Sequence, residues 1–252
     1  MNKHLLYLGT AFILLINSSC HDSKGKKEPA QIQEVLNQVE EVSEDNPPST
    51  EKRKSPADFV PKGYVTFDTI YGDLDKDEIE DCVLIIKGTN KSDIIKDEYR
   101  GQLDRNRRGI IVLLNKKDGY ELAVKNYNCF SSENEEGGVY FAPELGVEIA
   151  KGKLYIHYAH GRYGYWRYTF RHQNSDLELI GYDASSNHGP TVLEETSINF
   201  LTGKKIINKN TNPTFDNEEE IFKKTETKIN RTKLLKLSEI EDFDELDVSK
   251  GS

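Results

Sequence analysis

The sequence predicts a mainly β fold: a single antiparallel, β-rich domain, built as a meander, a propeller-like set or a sandwich. Short helices are expected in an N-terminal linker and at the C-terminus. Three observations carry this. From Gly63 onward, short β-branched and aromatic runs recur, split by turn residues. Successive runs are joined by pairs such as Asp118-Gly119 and Lys151-Gly152, which favour hairpins and hence antiparallel neighbours. A hydrophobic content of 36%, with 10% aromatic, is enough for one core in a chain of 252 residues, and no repeat is long enough for a solenoid or a full propeller.

Taken in order, residues 1–19 read as a signal peptide. Lys3 and His4 give a basic start, and Leu5 to Ile16 form an apolar stretch of secretory length, too short to span a bilayer. Ser18 and Ser19 lead into Cys20. This order resembles a bacterial lipoprotein signal, although Asn17 stands where that pattern has an apolar residue. The resemblance implies that Cys20 carries lipid, so that the mature chain sits in the cell envelope, anchored to a membrane on its periplasmic or outer-membrane face. An ordinary signal peptide cut near Ser19 is the alternative. The formal charge of -9 argues against nucleic acid or anionic lipid as a partner.

Residues 20–60 hold one aromatic, Phe59, and four prolines, and read as a flexible tether. Ile32, Val35, Leu36, Val39 and Val42 fall at helical spacing within it. Residues 61–237 form the β-rich domain. GYVTFDTIY is its first run, and the continuous apolar stretch of DCVLIIKG predicts an inner strand. GIIVLLN and YELAVKNY follow around KKDG, then GVEIA and KLYIHYAH, YWRYTFRH and LELIGYD, TSINFLT and KKIINK, and the alternating EEEIFKKTETKIN. SDIIKDEYRGQL predicts a helix capped by Ser92. Residues 238–252 are an acidic tail in which Ser238 caps a short helix whose Ile240, Phe243 and Leu246 share one face, packed on the domain edge.

The chemistry concentrates in GDLDKDEIEDCVLIIKG. Asp73, Asp75, Asp77 and Asp81 fall at positions 1, 3, 5 and 9 of an aspartate loop, and the carbonyl of Ile79 can add an oxygen. Calcium takes six to eight oxygens, and clustered carboxylates repel one another without a cation. The stretch resembles the calcium loops of FG-GAP and VCBS-type extracellular repeats, in which an aspartate loop precedes an apolar strand. The resemblance implies a bound calcium ion with a structural role. Where the pattern has glycine at position 6 this chain has Glu78, which must strain the loop or open it. A solvated acidic turn without an ion is the other reading.

A second region, LYIHYAHGRYGYWRYTFRH, places Trp166, Tyr168 and Phe170 on one strand face, toward the core. Tyr165, Arg167, Thr169 and Arg171 fall on the wet face, with His157 and Arg162 nearby. Aromatic rings beside guanidinium groups suit a glycan or a protein interface, and also an ordinary sheet strip with cross-strand pairs. The order from NRRGIIVLLN through EEGGVYFAPELGVEI to YWRYTFR resembles a set of bacterial envelope proteins, which implies envelope location and a β-rich fold but no activity.

With Cys20 set apart, Cys82 and Cys129 are left as a disulfide or as two solitary buried thiols. Serine-nucleophile and phosphate-loop motifs are absent, and His157 and His160, three apart, point to opposite faces of a strand. The expected function is non-catalytic binding of a protein partner or glycan, with an envelope or glycan hydrolase as the alternative.

Overall fold

The computed structural model describes residues 52–135, 143–212, 220–230 and 232–248. The expected signal peptide, Cys20 and the helical spacing at Ile32–Val42 lie outside the described residues. The protein is mainly β and its sheets are antiparallel. Thirteen strands are found among the described residues, and the helical segments there are single 3-10 turns.

A four-stranded sheet runs in the order β1-β2-β5-β6: β1 is Tyr64–Gly72, β2 Asp81–Gly88, β5 Arg108–Asn115 and β6 Tyr120–Phe130. β2 and β5 are its central strands and are buried on both faces, which is why their sequences are continuously apolar. Val83, Ile85, Ile110, Val112 and Val124 enter the main core. Cys82, Leu84, Ile86, Ile111 and Leu113 face the other way, into a second cluster capped by Phe59, Val60, Tyr64 and Tyr120.

Phe59 and Val60 reach that second cluster because the chain from Lys52 is already bound to the domain. Arg53 forms a bridge with Tyr120, and Ser55 caps a 3-10 turn at Pro56–Phe59. This stretch was expected within the tether. It serves instead as a lid on the outer face of the small sheet.

A seven-stranded meander follows: β7 (Glu144–Ala150), β8 (Lys153–Ala159), β9 (Gly164–Gln173), β10 (Asp176–His188), β11 (Thr191–Asn199), β12 (Lys204–Asn210) and β13 (Phe222–Lys228), each paired with the next. Two of its hairpins close through two residues with positive φ: Lys151 and Gly152 at 54° and 68°, Asn174 and Ser175 at 55° and 58°. That backbone twist matches the flanking strands. Leu154, Ile156, Tyr158, Tyr168, Phe170, Leu177 and Leu179 form the inner face, packed into the main core. At the far end, β13 is exposed along its whole length.

Two expected helices are not formed. SDIIKDEYRGQL gives a 3-10 turn at Lys91–Asp93, capped by Asn90 rather than Ser92. It then gives a small hairpin of β3 (Ile94–Asp97) and β4 (Gly101–Asp104). The β-branched pair Ile94-Ile95 favours the extended state. Among the described residues of the C-terminal tail, only Leu237–Glu239 forms a 3-10 turn. The tail also lies deeper than the domain edge: Leu237, Ile240 and Phe243 are all nearly inaccessible and belong to the main core. Asn126 Nδ2 donates to the carbonyls of Leu237 (2.9 Å) and Ile240 (2.6 Å), and Phe243 N donates to Cys129 O (3.0 Å), which stitches the tail to β6.

Candidate functional site

The aspartate loop joins β1 to β2, with Gly72 paired to Asp81 at its neck. Leu74 points inward and is 2% exposed, so the loop plugs one end of the core. Gly72 lies so close to Ile149 of β7 that a Cβ would stand 2.6 Å from the isoleucine side chain. The loop therefore ties the small sheet to the large one.

Its shape comes from its own carboxylates. Asp73 accepts from the backbone N–H groups of Lys76 (2.6 Å) and Glu78 (3.1 Å). Asp77 accepts from Ile79 N at 3.0 Å. Lys76 and Glu78 both take left-handed backbone, at φ 65° and 67°. Glu78 was expected to strain or open the loop. The loop stays closed, and the strain is borne by Glu78 itself at a cost of about 1–2 kcal/mol.

Asp81 is fully buried. One of its oxygens accepts from Leu74 N at 2.8 Å and the other from Asn115 N at 2.9 Å, so it fastens the loop to the end of β5. Burial pushes its carboxyl above the usual carboxylate range, and the backbone N–H bonds pull against that rise.

Asp73, Asp75 and Asp81 each bring a carboxylate oxygen within 4.8 Å of the others, a group that could hold a metal ion. Asp77 stands outside this trio, engaged with Ile79 N. Ile79 itself is half-buried beside it. An all-oxygen donor set suits a hard cation. One atom fits that reading directly: Asp75 Oδ1 is buried and has no hydrogen-bond partner. The other Asp75 oxygen is bonded by Lys116 Nζ, which also lies 3.7 Å from Asp77. That bond raises the pKa of the ammonium. Lys116 was not foreseen, because it lies in the turn after β5, far from the aspartates in sequence.

The aromatic and basic strip divides largely as its alternation predicts, except that Thr169, expected on the wet face, is buried. Tyr168 and Phe170 are buried and Trp166 is half-buried on the inner side, while Tyr165 and Arg167 are exposed on the outer. Cross-strand pairing lines up Gly146, His157, Arg167, Asp183 and Ser197 on β7 to β11 as one outer row. Arg167 donates to Asp183 at 3.1 Å, and Ser197 Oγ donates to the other Asp183 oxygen at 2.8 Å. The rings of Tyr155, 5.7 Å from the Arg167 guanidinium, and Tyr165, 5.6 Å from His157, flank the row. Burial, and then the Arg167 charge, hold the His157 imidazole below its ordinary pKa. A hollow of about 190 Å³ adjoins it, lined by Tyr165, Asp183, Glu195, Ser197 and Asn208 among others. Arg171 is not part of this row. It pairs with Glu178 at 3.5 Å, nearer the β9–β10 turn. Arg162 is also apart, exposed in the 3-10 turn Gly161–Tyr163.

On the inner side, a cavity of about 530 Å³ is bounded by Trp166, Tyr168 and Tyr182 of the large sheet and by Phe243 and Asp244 of the tail, with Glu135 at its rim. The Glu135 carboxylate accepts from Ser132 Oγ at 3.0 Å. Sequence reasoning passed over Asp244 and Tyr182, because nothing local marks a cavity that a distant tail completes.

Cys82 and Cys129 are free thiols, so the disulfide considered from sequence is not formed. The reason is geometric: they face opposite sides of the small sheet, Cys82 in the outer cluster and Cys129 in the main core. Burial pushes the Cys82 thiol up to about 11.

No family model matches this chain, and no curated protein or solved structure matches it either.

Proposed function

We propose that this chain is a non-catalytic, lipid-anchored protein of the cell envelope that binds a glycan on the outer face of its seven-stranded sheet. The observation that carries this is the row His157–Arg167–Asp183–Ser197 between the rings of Tyr155 and Tyr165. Sugar hydroxyls come in adjacent donor–acceptor sets, and an arginine–aspartate–serine chain offers both kinds of partner at fixed spacing. Pyranose C–H faces lie on aromatic rings. The adjoining hollow is lined by Asp183, Glu195, Ser197 and Asn208, whose side chains can exchange hydrogen bonds with sugar hydroxyls.

The aspartate loop supports this surface as a structural calcium site. Asp73, Asp75 and Asp81 would supply the first oxygens, Asp75 through the oxygen that Lys116 leaves free. Its effect would be to fix the start of β2 against the large sheet. The lipid on Cys20 would hold the domain at a membrane surface, and radiolabelled palmitate incorporation lost in Cys20→Ala is the direct check.

The binding test is retention of envelope oligosaccharides by the purified protein, read by calorimetry, with Arg167→Ala and Tyr165→Ala as controls. Saturable binding lost in both variants is expected. A protein partner recovered through the same face, with no oligosaccharide retained, would replace the glycan as ligand.

A hydrolase is the second reading, and one observation favours it: Glu135 and Asp244 line the same cavity. Release of new reducing ends from a polysaccharide, abolished in Asp244→Asn, would establish it over the binding role.

A further inference from the structure

The inner cavity has a composition that the outer strip lacks. Strand alternation turns Trp166 and Tyr168 inward, and β10 sets Tyr182 opposite Tyr168. The residue opposite Trp166 is Ala184, so the indole has no bulky cross-strand neighbour on that strand. Phe243 of the tail comes within 5.0 Å of the Tyr168 ring, at 65°. Tyr168 and Tyr182 lie 5.3 Å apart, tilted by 49°. Tyr158 stacks on Trp166 at 5.4 Å and 13°, which fixes the indole from the core side. The rings are thus held at several angles around one space of about 530 Å³.

Among the described residues, the charged groups lining that space are Glu135 and Asp244, with His160 also on the wall, and no lysine or arginine lines it. Arg108 lies behind Ser131, donating from Nε to the Ser131 carbonyl at 2.8 Å, and contributes a positive field near Asp244. The balance at the wall is acidic. Aromatic faces carry negative quadrupole potential and attract cations, tryptophan most strongly. Carboxylates add a formal charge of the same sign. An anion meets repulsion from both. A metal ion needs a shell of oxygen donors, which rings do not supply.

We infer that this cavity is a binding site for a small organic cation: the half-buried rings of Trp166 and Tyr182 contact an alkylammonium group over a floor formed by Tyr168 and Phe243, and Glu135 and Asp244 balance its charge. The site is separate from the outer strip and does not depend on the glycan reading.

The chain has one tryptophan, and it lines the cavity, so binding reports directly on emission from Trp166. The full-length protein in detergent is titrated with choline at constant ionic strength. A parallel titration uses the neutral analogue in which a tert-butyl group replaces trimethylammonium. A saturable spectral change is expected with choline and at least about tenfold weaker binding of the neutral analogue, the factor that a charge–ring contact of ordinary strength supplies. Asp244→Asn and Glu135→Gln should each weaken choline binding by a similar factor with the melting temperature retained. Vesicles displaying ethanolamine headgroups form a separate arm: a response to them alone assigns the ammonium to a lipid headgroup, and a response to choline alone to a soluble amine. Equal affinity for choline and its neutral analogue overturns the inference, as does the absence of any response in both arms.

Discussion

Lys116, in the turn after β5, sets its ammonium against the carboxylate of Asp75, which lies 41 residues earlier in the chain. The contact makes the protein supply its own cation to an acidic loop. It also defines a competition, since a divalent ion drawn to Asp73, the free oxygen of Asp75 and Asp81 would share the Asp75 carboxylate with this ammonium.

Lys116→Met removes the internal cation without much loss of side-chain volume. In chelator the variant should lose about 1–3 kcal/mol, the cost of leaving a largely buried charged acceptor unpaired. Calcium should restore that loss and should bind more tightly than in the parent, as read by melting temperature against calcium concentration. A variant indifferent to calcium would show that the loop carries no ion.

Glu78→Gly tests the strained backbone. Glycine takes a φ of 67° without a steric penalty, so the variant should be about 0.5–1 kcal/mol more stable in urea denaturation. Unchanged or lower stability would mean that the glutamate side chain compensates.

Phe243 shows what the tail does for the core. Its ring stacks on Phe130 at 5.0 Å and meets Tyr168 and Phe170 edge-on. Phe243→Ala should cost about 3–5 kcal/mol. A much smaller loss would place the tail outside the cooperative unit.

Asp104 supplies a pH dependence. Its bond from Lys87, above all, holds its carboxyl down at about 2, below the unfolded value of 3.8. A depressed acid contributes stability above its unfolded pKa and loses it as pH falls through the folded one. Between pH 4 and 2 the folded state therefore loses this contribution, and Asp104→Asn should flatten that part of the acid-unfolding curve. An unaltered slope would count against the Lys87 pairing.

The thiols give a last test. In Cys20→Ser protein, Cys82 and Cys129 should resist a thiol reagent while folded and both react in denaturant without prior reduction. Reaction only after reduction would mean that they are bonded.

Much of the architecture was legible because a sheet writes its burial into alternation. DCVLIIKG reads as an inner strand because both of its faces are covered, and the inward and outward sides of YWRYTFRH follow from period two. Where sequence reasoning failed, distant contacts decided. Ile94 and Ile95 became a hairpin because β4 was there to pair with them. Ile240 and Phe243 entered the core because Asn126 of β6 holds the carbonyls of the tail. At the candidate sites, the aspartates and the strip residues announced themselves locally. Lys116, Asp183 and Asp244 did not, since each acquires its role only when another strand or the tail arrives beside it.

β13 ends the large sheet with every residue facing water. An open rim of this kind is where one copy could recruit the next and polymerise. Lys223, Lys224 and Lys228 lie along it with a single acid, Glu226, so the rim carries a net positive charge. Charge placed on an edge strand is a device that disfavours edge-to-edge pairing of like copies.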